Sequence, residues 1–121
     1  MLNDAFLKDF NHIYLATGFT DLRLGIDGLA NLIEEKFHLN AYDRSLFLFC
    51  GRKADRIKGL VWEGDGYLLL YKRLETGRFR WPRNPDEIRD LSQLEFTQII
   101  NGLKPDQKGG NPRVYPADFQ V

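Results

Sequence analysis

The stretch from 56 to 82 constrains the fold more than any other part of the chain. It reads RIKGLVWEGDGYLLLYKRLETGRFRWP, with apolar and polar residues alternating around the turn sequences EGDG and ETGR. Alternation with a period of two is typical of β-strands, and Gly and Asp suit the positive φ that tight hairpins need. The segment therefore predicts two consecutive hairpins in a largely antiparallel sheet.

The register of these hairpins predicts which side chains form the core. Pairing across the first turn places Trp62 opposite Tyr67, and pairing across the second places Leu74 opposite Phe79. Because side chains on a strand alternate between faces, one face is then apolar, with Lys72 as the exception. The predicted core residues on that face are Ile57, Val61, Leu68, Leu70, Leu74, Phe79 and Trp81.

The opposite face of the predicted sheet mixes cations with aromatic rings, and we call it the basic–aromatic face. It consists of Arg56, Lys58, Leu60, Trp62, Tyr67, Leu69, Tyr71, Arg73, Arg78 and Arg80. Arginine and lysine bind phosphates, while rings stack on bases or pack against sugars, so this face is a candidate surface for DNA. Arg52 and Lys53, in the turn before the hairpins, extend it. The alternative is that Leu60, Trp62 and Leu69 lie under a helix or a partner, with the arginines at the rim.

The distribution of charge supports a polarised surface. The 17 basic and 17 acidic residues give a net charge of zero, which by itself argues against a generic nucleic-acid-binding protein. Residues 44–83, however, hold ten basic and four acidic residues, so this block carries a charge of +6 and the remainder −6. The field close to a surface depends on such local asymmetry rather than on the total.

The rest of the chain supplies two more strands and two helices. HIYLATG (12–18) and SLFLFCG (45–51) are strand-like, and LSQLEFTQIINGL is helical, with Ser92 and Glu95 at the spacing of a capping box. The first helix is predicted from an apolar face formed by Leu22, Ile26, Leu29, Ile33 and Phe37. We expect an α+β fold, with a mostly antiparallel sheet of about four to five strands and two helices packed on one of its faces. Residues 1–103 form the single predicted domain, and 104–121 a flexible tail.

Candidate catalytic groups are few. Glu63 and Asp65 flank Gly64 at a hairpin tip, where turn geometry explains them better than catalysis. Cys50 lies within an apolar run, which indicates a buried thiol. Neither histidine has a metal-ligand spacing, and the chain has no phosphate-binding loop and no CxxC pair. We predict no enzymatic activity, no metal and no cofactor; a nuclease that uses Asp27, Glu63 and Asp65 is the weakest alternative.

Location follows from the apolar runs and the cysteine count. No apolar run approaches the ~18 residues that a membrane-spanning helix needs, and the start MLNDAFLKDF lacks the apolar core of a secretory signal. A single cysteine in an apolar run fits a reducing compartment. These features predict a cytoplasmic protein without membrane contact.

Four motifs occur in order along the chain, namely TDLRLGIDGL, FCGRKADRIK, WEGDG and YKRLETGRFRWP. In these motifs the chain closely resembles the small TnpB accessory proteins, also called ORF-two-like proteins, of bacterial insertion sequences of the IS66 type. The resemblance implies a non-catalytic helper of DNA transposition, since strand cleavage and joining belong to a separate transposase of the same element. It also implies DNA at the element ends and the transposase as partners, and leaves self-association open.

Two hypotheses follow. In the first, the chain binds DNA, with Arg56, Lys58, Arg73, Arg78 and Arg80 on phosphates and Trp62, Tyr67 and Tyr71 on bases or sugars. In the second, the same face is an interaction module, anchored by Trp62 and Leu69, which docks on the transposase or on a second copy without contacting DNA. The second hypothesis rests on the enrichment of Trp, Tyr and Arg in the anchors of protein interfaces.

Overall fold

A computed structural model describes residues 9–85 and 87–101. Five strands and two helices make up this part of the chain, as the α+β prediction requires. The strands are β1 His12–Ala16, β2 Ser45–Cys50, β3 Arg56–Trp62, β4 Tyr67–Arg73 and β5 Ile88–Asp90. The helices are α1 Ile26–Asn31, which continues through a π-helical turn at Leu32–Lys36, and α2 Gln93–Ile100. Within the described residues, no helix is both long enough and apolar enough to span a bilayer.

The five strands form one sheet in the order β4-β3-β2-β1-β5. Strands β2, β3 and β4 follow one another as an antiparallel meander, and β5 pairs antiparallel with β1. Only β1 and β2 are parallel, joined by the connection that contains α1. The prediction of a mostly antiparallel sheet of four to five strands with two helices packed on it is therefore confirmed.

The first hairpin has the predicted register. Trp62 pairs with Tyr67 and Lys58 with Tyr71, and the residues between them pair in the same register. The predicted core face is also present: Ile57, Val61, Phe79 and Trp81 belong to one buried cluster, and the partly buried Leu68, Leu70 and Leu74 pack against it. Lys72 shares that face: its Nζ donates to the Ile100 carbonyl at 2.9 Å, and burial lowers the pKa of its amine.

The second predicted hairpin is wrong. Residues 74–85, which we call the crossing segment, contain no strand and pass from the end of β4 back toward β1. The N–H groups of Leu74 and Phe79 both donate to the turn between β2 and β3, at Asp55 and Ala54 respectively, each at 2.7 Å. Because these donors are used there, they do not form a ladder with each other. Toward the far end of the segment, the Pro82 carbonyl accepts a hydrogen bond of 2.9 Å from the Gly18 N–H.

Helices cover both faces of the sheet, so the expectation of one covered face is wrong. The cluster on one side includes Phe96 and Ile100 of α2. The cluster on the other side includes Leu29 of α1 and Ile33 of the following π-helical turn. The reason lies in β2, whose six side chains SLFLFC are all buried. A strand with apolar residues on both faces requires a layer on each.

The two helices differ in how well their starts were predicted. α2 begins with the expected capping box: Glu95 N–H donates to Ser92 Oγ at 3.1 Å, and Ser92 N–H donates to Glu95 Oε1 at 2.8 Å. α1 is shorter than its apolar spacing predicts and begins only at Ile26. The Asp21 carboxylate instead accepts bonds from the backbone N–H and the side chain of Arg23, closing a turn ahead of the helix. The boundary predicted at residue 103 and the predicted tail lie outside the described residues.

Candidate nucleic-acid interface

One end of the sheet gathers basic side chains from several parts of the chain, and we call it the basic end. The parallel strands β1 and β2 finish at this end, whereas β3 begins there and β4 finishes there. Three connections therefore meet at it: residues 17–25, residues 51–55 and the crossing segment.

Three adjoining clefts of about 710, 410 and 520 Å³ lie at the basic end. The first two share Arg52 and Lys53, and the second and third share Arg78 and Arg83. Among the described residues, nine basic and two acidic side chains line them. The basic residues are Arg23, Arg52, Lys53, Arg56, Lys58, Arg78, Arg80, Arg83 and Arg89; the acidic ones are Asp21 and Asp55.

Each of the two acids is paired with one arginine. Asp21 accepts from Arg23 at 2.8 Å, and this hydrogen bond lowers the pKa of the carboxyl to about 2. Asp55 accepts from the Arg56 Nε at 3.2 Å, which also lowers its pKa. Both acids are therefore ionised at neutral pH, and each offsets one of the nine cations. A third cation, Arg89, lies 3.9 Å from the Glu95 carboxylate. A strong excess of positive charge remains at this end.

The largest cleft holds a row of cations beside an exposed ring. Lys58 lies next to Tyr71 across the β3–β4 ladder, and its Nζ donates to the Leu24 carbonyl at 3.2 Å. Arg56 pairs with Arg73 in the same ladder. The Tyr71 side chain stays 54% exposed, so a ring is available beside these charges.

The crossing segment displays its arginines because alternate residues are buried. Phe79 and Trp81 lie in the core, and the Trp81 Nε1 donates to the Ala16 carbonyl at 2.9 Å. Arg78 and Arg80, on the alternate positions, are exposed. The burial of the rings therefore fixes the direction in which the guanidinium groups point.

The other rings of the predicted site lie at the opposite end of the sheet. Trp62 and Tyr67 pack edge-on with ring centroids 4.9 Å apart, and Tyr42 contacts Trp62 at the same distance. The Tyr67 hydroxyl donates to the Ala41 carbonyl at 3.1 Å, and burial raises the pKa of that phenol. The structure thus separates Trp62 and Tyr67 from the cations with which the sequence grouped them.

The middle of the basic–aromatic face is covered rather than open. Leu60 is fully buried, and Leu69 packs into the same cluster as Leu29 of α1. The alternative weighed from the sequence, that these leucines lie under a helix, is therefore correct for Leu60 and Leu69. The end of the face that carries Arg56, Lys58 and Tyr71 opens into a cleft.

Sequence reasoning missed four residues that line the basic end. Arg83 was counted in the basic block but not assigned to the site, and Arg23 was placed on the first helix. Phe19 and Arg89 carry no local signal, since Phe19 follows β1 and Arg89 lies in β5. The Arg83 guanidinium lies 6.0 Å from the centroid of the Phe19 ring, which joins the first cleft to the third.

Glu63 and Cys50, two of the candidate catalytic groups, occupy structural positions. The Glu63 N–H donates to the Gly66 carbonyl at 2.8 Å, and Gly64 has a φ of 95°, so EGDG forms the predicted tight turn. Cys50 is fully buried, and burial raises the pKa of its thiol to about 12, with Asp55 as a smaller cause. Across the described residues, no three His, Cys, Asp or Glu side chains are grouped closely enough to hold a metal ion.

Comparison with known proteins gives one family. The model of a family described as IS66 Orf2-like protein matches residues 11–109. The chain is also similar to two proteins of Sinorhizobium fredii named uncharacterized protein y4hO and uncharacterized protein y4jC. The first is 35% identical over 91 residues, covering 75% of this chain and 79% of that protein. The second is 33% identical over 91 residues, covering 75% and 78%. No solved structure gives a significant match.

Proposed function

Because the chain belongs to the IS66 Orf2-like family, which implies an accessory role in transposition, we propose that it binds DNA through the basic end of its sheet. In this proposal it acts in the cytoplasm on the DNA of its insertion sequence, and the transposase cleaves and joins the strands. A non-enzymatic role is supported by the position of Glu63 and Asp65 in a tight turn. Among the described residues, these carboxylates belong to no group of side chains that could hold a metal ion.

The observation that carries the proposal is the convergence of nine basic and two acidic side chains on one end of the sheet. These cations come from segments far apart in sequence, so the fold itself concentrates the charge. Among them Arg52, Lys53, Arg78 and Arg80 are exposed and form no ion pair with any described residue. Exposed unpaired cations bind phosphate without first losing another partner.

The residues take two roles in this proposal. Arg52, Lys53, Arg56, Lys58, Arg73, Arg78 and Arg80 contact phosphates, joined by Arg83. Of these, Arg73 lines none of the three clefts, and its guanidinium lies 3.3 Å from the Glu75 carboxylate. Tyr71, beside Lys58, packs on a base or a sugar. Because Trp62 and Tyr67 lie at the opposite end of the sheet, we do not include them in the proposed DNA contacts. With a single exposed tyrosine of β4 among so many cations, the phosphate backbone dominates, and we expect binding with little dependence on base sequence.

The salt dependence of binding tests this proposal. Each neutralised phosphate of duplex DNA adds about −0.9 to the slope of log K against log salt concentration, so the eight proposed contacts give a slope of about −7. Fluorescence anisotropy of a labelled duplex from the element end, titrated at several salt concentrations, measures that slope. An unrelated duplex should give nearly the same value. The absence of binding at low salt would exclude the proposal.

A second candidate function is docking on the transposase, and the ring cluster at the other end of the sheet favours it. Tyr42 is 59% exposed and packs edge-on against Trp62. Partly exposed Trp and Tyr side chains anchor many protein interfaces. The acidic turn that carries Glu63 and Asp65 adjoins the cluster and fits a basic surface on the partner.

Co-purification with tagged transposase separates this candidate from DNA binding. If the ring cluster is the docking surface, Trp62→Ala loses the transposase while Arg78→Ala retains it. Circular dichroism of both variants checks that they fold. The reverse pattern would place the contact at the basic end and remove the ring cluster from consideration.

A further inference from the structure

Strand β4 leaves one side of its backbone open. It stands at the edge of the sheet, and within the described part of the chain it pairs only with β3. It is seven residues long, largely apolar and free of proline, whereas the opposite edge strand, β5, has three residues. A long apolar edge strand presents unpaired N–H and C=O groups that accept another strand.

The hydrogen bonds of the hairpin identify the groups that face outward. At the turn, Glu63 N–H donates to the Gly66 carbonyl, and at the other end Leu74 N–H donates to the Asp55 carbonyl. Both pairs belong to the register of the β3–β4 ladder, in which hydrogen-bonded and unbonded pairs alternate. The N–H and C=O groups that point away from β3 therefore belong to Tyr67, Leu69, Tyr71 and Arg73.

We propose that β4 pairs antiparallel with β4 of a second copy of this chain, about a two-fold axis at Leu69. Leu69 then exchanges both its hydrogen bonds with Leu69 of the other copy, and Tyr67 pairs with Tyr71. An axis perpendicular to the sheet keeps equivalent faces on the same side, so the two sheets become one sheet of ten strands.

Charge selects this register over its neighbour. About Leu69, the acidic turn of each copy, which carries Asp65, lies beside Arg73 of the other and gives two attractive contacts, although Arg73 already contacts Glu75 of its own chain at 3.3 Å. About Leu70, the alternative that also keeps the faces aligned, Asp65 lies opposite Glu75, which gives two repulsive pairs. Opposite charges across a strand pair stabilise it, and like charges destabilise it. The strand is thus complementary to itself, with an acidic turn before it and basic residues at its end.

The apolar layers on both faces also continue across the proposed interface. Leu68 and Leu70 are only partly buried against the α2 side, and the register brings each beside the other in the second copy. An apolar cleft of about 150 Å³, lined in part by Ile57, Leu70 and Ile100, lies along this edge. On the α1 side, Leu69 is also partly buried and meets its own equivalent. Pairing therefore removes further apolar surface from water on each face.

A backbone substitution tests the pairing itself. Tyr71→Pro removes an outward N–H without touching the bonds to β3, a position where an edge strand tolerates proline. Tyr71→Ala removes the same side chain and keeps the N–H. We expect the full-length protein and Tyr71→Ala to dimerise in sedimentation equilibrium and Tyr71→Pro to be a folded monomer, as judged by circular dichroism. Equal dimerisation of the two variants, or a wild type that stays monomeric at its highest soluble concentration, overturns the proposal and leaves the edge to a strand from another protein.

Charge reversal tests the register and does not rely on proline. Asp65→Arg and Arg73→Glu each turn two attractions into two repulsions, and we expect each to weaken the dimer roughly tenfold to a hundredfold. The double variant restores both pairs and should recover most of the affinity. If Asp65→Arg instead strengthens the dimer, or if the double variant fails to recover it, the axis at Leu69 is wrong. The two proposals share Tyr71 and Arg73, but the measurements of dimerisation are made without DNA, so this inference is tested separately from DNA binding.

Discussion

Replacing Arg78, Arg80 and Arg83 together by alanine should weaken the binding of duplex DNA on the order of a hundredfold or more near 0.1 M salt. Each lost phosphate contact removes about 0.9 from the salt slope, so the slope should become less steep by about 2.7. The cause is electrostatic: the three guanidinium groups line the second and third clefts, where no described acidic residue except Asp55 is present. Anisotropy titrations of wild type and variant at several salt concentrations give both quantities.

The fold should survive that triple substitution, because all three arginines are exposed. Arg44→Ala is the matched control, since this arginine is also exposed but lies at the opposite end of the sheet beside Asp9, at 3.6 Å. We expect Arg44→Ala to leave the slope unchanged. A slope change in Arg44→Ala of about a third of that in the triple variant, the share expected for one charge in three, would show a diffuse charge effect and contradict a DNA-binding surface at the basic end.

Trp81→Ala should lower the free energy of unfolding by about 3–5 kcal/mol, the usual cost of truncating a buried aromatic side chain. Trp81 is 6% exposed in the cluster beneath α2, and its Nε1–H donates a hydrogen bond to the Ala16 carbonyl at the end of β1. Small domains have a total stability of about 5–15 kcal/mol, so this loss is a large share of it. Urea unfolding followed by far-UV circular dichroism measures the change.

Trp81→Phe separates the two parts of that cost. Phenylalanine keeps most of the ring in the core and loses only the hydrogen bond, whose net contribution is about 1 kcal/mol. Trp81→Ala should also weaken DNA binding where it is still folded, since the bond to Ala16 ties the crossing segment and its arginines to β1. A loss below about 1 kcal/mol in Trp81→Ala would show that this side chain does not anchor the segment.

The first hairpin was predictable from sequence because its information is local. Alternation between Arg56 and Arg73, together with the EGDG turn, fixes one register, since a slip by one residue would move every apolar side chain to the solvent. The second hairpin was not predictable in the same way. Leu74 and Phe79 donate to the turn between β2 and β3, and that turn becomes a partner only after the meander has formed.

The candidate site was likewise predictable from the sequence only in part. The block of basic residues was visible in the sequence, but its grouping at one end depends on the parallel pairing of β1 with β2, which no local pattern records. That pairing brings Phe19 and Arg23 to the cations of the β2–β3 turn. The misplaced rings have a different cause. Trp62 and Tyr67 lie one strand length from Arg56 and Arg73, at the other end of the same two strands.

A chain with 17 basic and 17 acidic residues exerts no net long-range attraction on DNA, yet the charges of its described residues form an electric dipole. Its negative pole carries Asp43, Glu63, Asp65 and Asp90, opposite the basic end. At physiological salt such a dipole is felt only within about 8 Å, the screening length. If the chain binds DNA as proposed, we therefore expect no attraction from a distance, but at close range a rotation that turns its positive pole toward the phosphates.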